Sequence, residues 1–163
     1  MDKEIGGMER FVIEFSKQLT KLGIDVTILT GITKNPINIK GVKIIRKKIF
    51  FPRFFNKPIK YFQLSLTAYL HLKKNKYDYV LAMGFSGMFL KNHIWSIWAT
   101  YLYNIKKEKK VKGIKKIIVD IDLFILKKIQ YFCLKNANFL MFPSEYLKEI
   151  FEKEYKIKKP YFI

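Results

Sequence analysis

Residues 4–30 read Glu4-Ile-Gly-Gly-Met-Glu-Arg-Phe-Val-Ile-Glu-Phe-Ser-Lys-Gln-Leu-Thr-Lys-Leu-Gly-Ile-Asp-Val-Thr-Ile-Leu-Thr30, and their reading decides the fold. Met8, Phe11, Val12, Phe15, Leu19 and Leu22 recur at three- and four-residue spacing, which places them on one helix face. Gly23 is the expected left-handed stop. Ile24, Val26, Ile28 and Leu29 then form a short β-branched, apolar run, expected to be a buried strand. Gly6 and Gly7 stand just before the helix. Backbone without a Cβ can approach a ligand closely there, and free amides with the helix dipole favour an anion.

The rest of the chain continues the alternation. Strands are expected over Val42–Arg46, Tyr79–Met83 and Phe139–Phe142. Helices are expected up to about Lys74 from Pro58, over Ile117–Leu134 and from Ser144 to about Tyr155. Ile94 to Ala99 fits either a strand or a helix running on from Met88. On the Ile117–Leu134 helix, Ile121, Phe124, Ile125, Lys128, Ile129 and Phe132 share a face. Strands alternating with helices imply an α/β fold, a Rossmann-like parallel sheet flanked by helices. The expectation is one sheet holding all these strands, with Phe11, Phe15 and Leu19 packed on it.

The Gly-Gly-Met-Glu-Arg motif, its helix and the Leu-Gly-Ile-Asp-Val-Thr-Ile-Leu-Thr that follows resemble the amino-terminal domain of family-4 glycosyltransferases, which have the GT-B fold. Ala137 to Leu147 resembles that family's strand ending in Ser-Glu, and Lys159 to Ile163 its strand leading to the interdomain linker. The resemblance implies a retaining transferase that uses a nucleotide-sugar donor as substrate and no further cofactor. It also implies a chain read as one incomplete acceptor-side domain over residues 1–163, without a first strand and without the donor-binding carboxyl-terminal domain. Inactivity alone, or pairing with a separate donor-binding domain or subunit, is then expected. The acceptor implied is a cell-envelope lipid or polysaccharide.

Composition argues for a globular chain: 50% of residues are hydrophobic and 17% aromatic. The net charge of +19 comes almost wholly from lysine, since Arg10, Arg46 and Arg53 are the only arginines among 32 basic residues. Abundant Lys, Ile, Phe, Tyr and Asn together fit codon bias, and they equally fit attraction to an anionic surface. The alternative from another class is therefore a basic binding protein for anionic membrane or nucleic acid on a degenerate Rossmann scaffold; no recognised nucleic-acid motif supports the latter. A single cysteine, Cys133, excludes an intramolecular disulfide and reads as core. A cytosolic location is expected; Lys47, Lys48, Arg53, Lys57 and Lys60 interleave with aromatics between residues 47 and 62, which fits either peripheral contact at the inner face of an anionic membrane or core phenylalanines beside merely solvated lysines.

In parallel α/β sheets ligands gather at the carboxyl ends of strands. Gly6 and Gly7 are either the candidate donor-phosphate site or a plain tight turn, and Glu9 and Arg10 complete the motif, either lining a cleft or forming a solvated first turn. Gly84 and Ser86 follow the Tyr79–Met83 strand, as cleft loop or plain turn. Thr100 follows the possible Ile94–Ala99 strand, where the resembling enzymes often carry a histidine that this chain lacks. Its histidines, His71 and His93, read as structural or solvated. Ser144 and Glu145 open a helix, with Ser144 as N-cap or cleft lining. No metal ligand set is expected: Asp120 and Asp122 alone are not a cage.

Overall fold

The structure, a computed structural model, describes residues 6–31, 38–49, 56–98, 113–156 and 159–163, with the side chains of 56–58 and 114–115 left aside. It divides into two compact units, Met1–Ile49 and Phe50–Ile163.

In the first unit, helix α1 (Gly7–Lys21) leads into strand β1 (Val26–Gly31), which pairs in parallel with β2 (Val42–Lys47) from Val26↔Val42 to Gly31↔Lys47. The helix ends as its sequence demands. Gly23 takes φ +77, its N–H donates to the Thr20 carbonyl, and the Ile24 N–H donates to the Leu19 carbonyl, the paired bonds of a Schellman stop. The packed face differs from the expected one. Phe11 and Leu19 are half-buried, Phe15 is 38% exposed, and the buried residue is Ser16. Close approach explains this. A Cβ on Gly41 would lie 2.6 Å from Thr20 Cγ2, so the helix comes down on small side chains, and Phe15 is displaced to the margin, where it stacks on Phe11 at 5.2 Å. β1 is half-buried along its length rather than fully buried, and Ile24, expected in the strand, precedes it in the chain reversal after Gly23 and is 48% exposed.

The second unit carries helix α2 (Asn56–Lys74), β3 (Leu81–Met83), a 3-10 turn (Gly84–Gly87), β4 (His93–Ser96), α3 (Ile114–Asn136), β5 (Ala137–Met141), α4 (Glu145–Tyr155) and β6 (Tyr161–Phe162). Its sheet has the order β3-β4-β5-β6, parallel throughout. The expected parallel α/β architecture is present, but the strands form two sheets, one in each unit, since no described strand pairs with the free edge of β1. His93–Ser96 settles the segment left open as a strand. β3 starts at Leu81 rather than Tyr79, which is 85% exposed. The core gathers Trp95, Ile97, Leu126, Ile129, Cys133, Leu134, Leu140, Phe142 and Phe151. Trp95 and Phe142 set their rings edge-on to Phe151, at 5.8 and 5.5 Å.

On α3 the buried face is Leu123, Leu126, Ile129, Gln130, Cys133 and Leu134. Of the face read from sequence, only Ile129 is buried and Ile125 half-buried, whereas Ile121, Phe124, Lys128 and Phe132 are exposed. The helix is apolar on nearly every side, so periodicity does not mark one face; the sheet selects it.

Candidate functional site

In the first unit the candidate is the start of α1. Gly6 is the N-cap in extended conformation, φ −62 and ψ 160, and no side chain caps the helix. The first intrahelical bond runs from the Arg10 N–H to the Gly6 carbonyl at 3.0 Å, which leaves the amides of Gly7, Met8 and Glu9 directed outward as a helix N-terminus leaves them. A side chain at position 6 would meet the Glu9 carboxylate, which folds back over the cap and complements the positive end of the dipole. Gly7 is different. Its φ is not positive, and a Cβ there would have nothing within 4 Å. Among the described residues neither backbone nor packing requires glycine at position 7, whereas a ligand pressed against the amides would. Gly6, Gly7, Glu9 and Arg10 are all exposed.

In the second unit the parallel strands deliver their carboxyl ends to one edge. Met83, Ser96, Met141 and Phe162 close them, and Gly84, Ile97, Phe142 and Ile163 follow. The 3-10 turn there is tightly explained. Gly84 has φ +58, accessible to glycine at little cost. Its carbonyl accepts from the Trp95 indole N–H. The Ser86 hydroxyl donates to the Met83 carbonyl at 2.8 Å. A Cβ on the buried Gly87 would lie 2.6 Å from His93 Nε2 and 3.2 Å from Ala82 Cβ. The Trp98 indole donates to Ser96 Oγ at 2.9 Å. Ser144 caps α4 by accepting the Leu147 N–H at 3.3 Å, and Glu145 lies beside it on the exposed first turn. Thr100 lies outside the described residues.

Sequence reading missed two groups at this edge. Lys148 Nζ donates to Glu145 Oε2 at 3.2 Å and to the Tyr161 hydroxyl at 2.8 Å, and sits 4.2 Å from the Tyr161 ring centre. The hydrogen bond to Tyr161, and then Glu145, hold its amine above the usual lysine range against the opposing cost of desolvation. The i, i+3 spacing of Glu145 and Lys148 was a visible signal; Tyr161 needs the β5–β6 register to be placed. The opposite, amino end of the sheet holds His93, 1% exposed, whose pKa burial lowers to about 4, with Leu90 backbone opposing and Lys159 assisting. Cys133 is fully buried and its thiol is pushed up to about 12 by desolvation.

Of the basic residues between 47 and 62, Lys47, Lys48 and Lys60 are exposed. Arg53 and the Lys57 side chain lie outside the described residues. Residues 5–162 match the family model described as Glycosyltransferase Family 4. No curated protein matches the chain.

Proposed function

Because the chain belongs to glycosyltransferase family 4, we propose that it acts in moving a sugar from a nucleotide-sugar donor to a cell-envelope lipid or polysaccharide, as the acceptor-side domain. The observation that carries the donor part is Gly7, a glycine that neither its φ nor its packing among the described residues explains, at a helix start with no side-chain cap. Amides and dipole there suit a donor phosphate. The cleft-lining roles of Glu9, Arg10, Gly84, Ser86, Thr100, Ser144 and Glu145 belong to the same proposal. So does a peripheral membrane contact through Lys47, Lys48, Arg53, Lys57 and Lys60.

Transfer requires the departing diphosphate's growing charge to be stabilised. At the α1 start the described groups that offer this are backbone amides and Arg10. Turnover is therefore expected to need a separate donor-binding domain or subunit. The test is release of nucleoside diphosphate from a panel of nucleotide sugars, with a membrane-lipid extract as acceptor. No release by the chain alone, and release once a donor-binding half is supplied, is the expected result. Turnover by the chain alone, abolished by Gly7→Val, would overturn this division of labour.

A further inference from the structure

Helix α3 carries an apolar face that no described residue of its own unit covers. Ile117 is 60% exposed, Phe124 59% and Ile121 45%, and Phe132 and Tyr131 extend the stripe to the last turns. Ile117, Ile121 and Phe124 follow one another at four and three residues, and beyond Lys128 the same side resumes at Tyr131 and Phe132, opposite the buried Leu126, Ile129 and Cys133. Single exposed apolar residues need no explanation, but a stripe of them along a helix does. The surrounding charge states what kind of surface would cover it. Lys116, Lys127, Lys128 and Lys135 are exposed on the same helix, with Asp120 the one exposed acid. In the sequence, the residues from 106 to 116 that lead into the stripe hold seven lysines and one glutamate. Lys128 falls within the stripe and keeps its amine 5.4 Å from the Phe124 ring centre, as a lysine does when its stem lies along apolar surface and its head stays wet.

We propose that the outward face of α3 lies flat on an anionic lipid surface, with Ile117, Ile121 and Phe124 at the acyl boundary and the flanking lysines against lipid phosphates. Among the described residues no helix is long and apolar enough to cross a membrane, so α3, about 34 Å long at 1.5 Å per residue, is suited to lie in the plane of the interface. The inference uses none of residues 47–62 and does not depend on the glycine pair, so it can fail without the sugar-transfer reading failing.

The experiment is flotation of the full chain with vesicles of phosphatidylcholine alone and of phosphatidylcholine with phosphatidylglycerol. The variants are Ile121→Ser with Phe124→Ser, and Lys127→Gln with Lys128→Gln. All four side chains are exposed, and circular dichroism checks that the fold is kept. Wild type should float with anionic vesicles and release as salt rises. The serine pair should lower the partition coefficient about tenfold or more; each lysine removed should lower it about fivefold. Because Cys133 is buried, a Phe124→Cys chain can be labelled at that site, and its fluorophore should shift to the blue on anionic vesicles. Equal flotation with both lipids, unchanged partition of the serine pair, or an unshifted label would overturn the proposal. So would self-association in the absence of lipid that the serine pair abolishes, since the face would then belong to a second copy of the chain.

Discussion

Adding one methyl group at three glycines should give three different answers. At Gly87 the new Cβ would lie 2.6 Å from His93 Nε2 and 3.2 Å from Ala82 Cβ. Both neighbours are buried, His93 at 1% and Ala82 at 3% exposure, so neither is a loose end that can swing away. Overpacking of this kind costs about 1–3 kcal/mol. At roughly 2–4 °C per kcal/mol for a chain of this size, Gly87→Ala should melt about 2–12 °C lower. At Gly84 nothing lies within 4 Å of the added carbon, but φ is +58, so the cost is backbone strain, about 1–2 kcal/mol. At Gly7 there is neither clash nor positive φ, and Ala should be neutral or stabilising by up to about 1 kcal/mol. Urea unfolding followed by circular dichroism gives all three values. A Gly87→Ala protein as stable as wild type would refute the packing argument. A clearly destabilised Gly7→Ala protein would show that position 7 is glycine for structural reasons and would remove the support it gives to a ligand.

Other predictions follow from the same geometry. Ser144→Ala removes the cap bond to the Leu147 N–H and should cost about 1 kcal/mol in urea, with Ser144→Asp restoring most of it. His93 is depressed from 6.5 to about 4 in the folded chain, so its neutral form is preferred on folding. That contribution is complete above about pH 6.5 and is lost as pH falls toward 4, by no more than about 3 kcal/mol; a His93→Gln chain should show a flatter acid limb in stability against pH. Cys133, with its thiol pushed up to about 12, should resist iodoacetamide in the folded chain and react once urea unfolds it. Glu9→Gln should tighten pyrophosphate binding at the α1 start, because the carboxylate that folds over Gly6 competes with an incoming anion; equal or weaker binding in calorimetry would contradict this.

The part of the fold that was legible in sequence is the part whose pattern is local. Gly6–Gly7, the spacing from Met8 to Leu22 and Gly23 place the helix and its stop, and β-branched residues place β1. What was not legible depends on what lies opposite. Phe15 and Ser16 are neighbours in sequence, and only the approach of Thr20 to Gly41 decides that Ser16 goes inside. α3 is apolar on nearly all sides, so the strands beneath it choose Leu126 and Cys133 over Phe124. At the candidate site the residue types were legible but their duties were not. Gly84, Ser86 and Gly87 look alike as turn residues, yet the structure gives each its own constraint: a positive φ, a carbonyl cap and a contact with His93. The Lys148–Tyr161 bond joins residues 13 apart and needs the strand register.

The most direct test of the central claim is amide chemical-shift perturbation of the chain by a free nucleoside diphosphate, with a Gly7→Val chain as control. The account predicts shifts concentrated at Gly7, Met8 and Glu9 in the wild type, and their loss in Gly7→Val without loss of melting temperature. Shifts elsewhere only, or shifts at these amides that survive Gly7→Val, would contradict it.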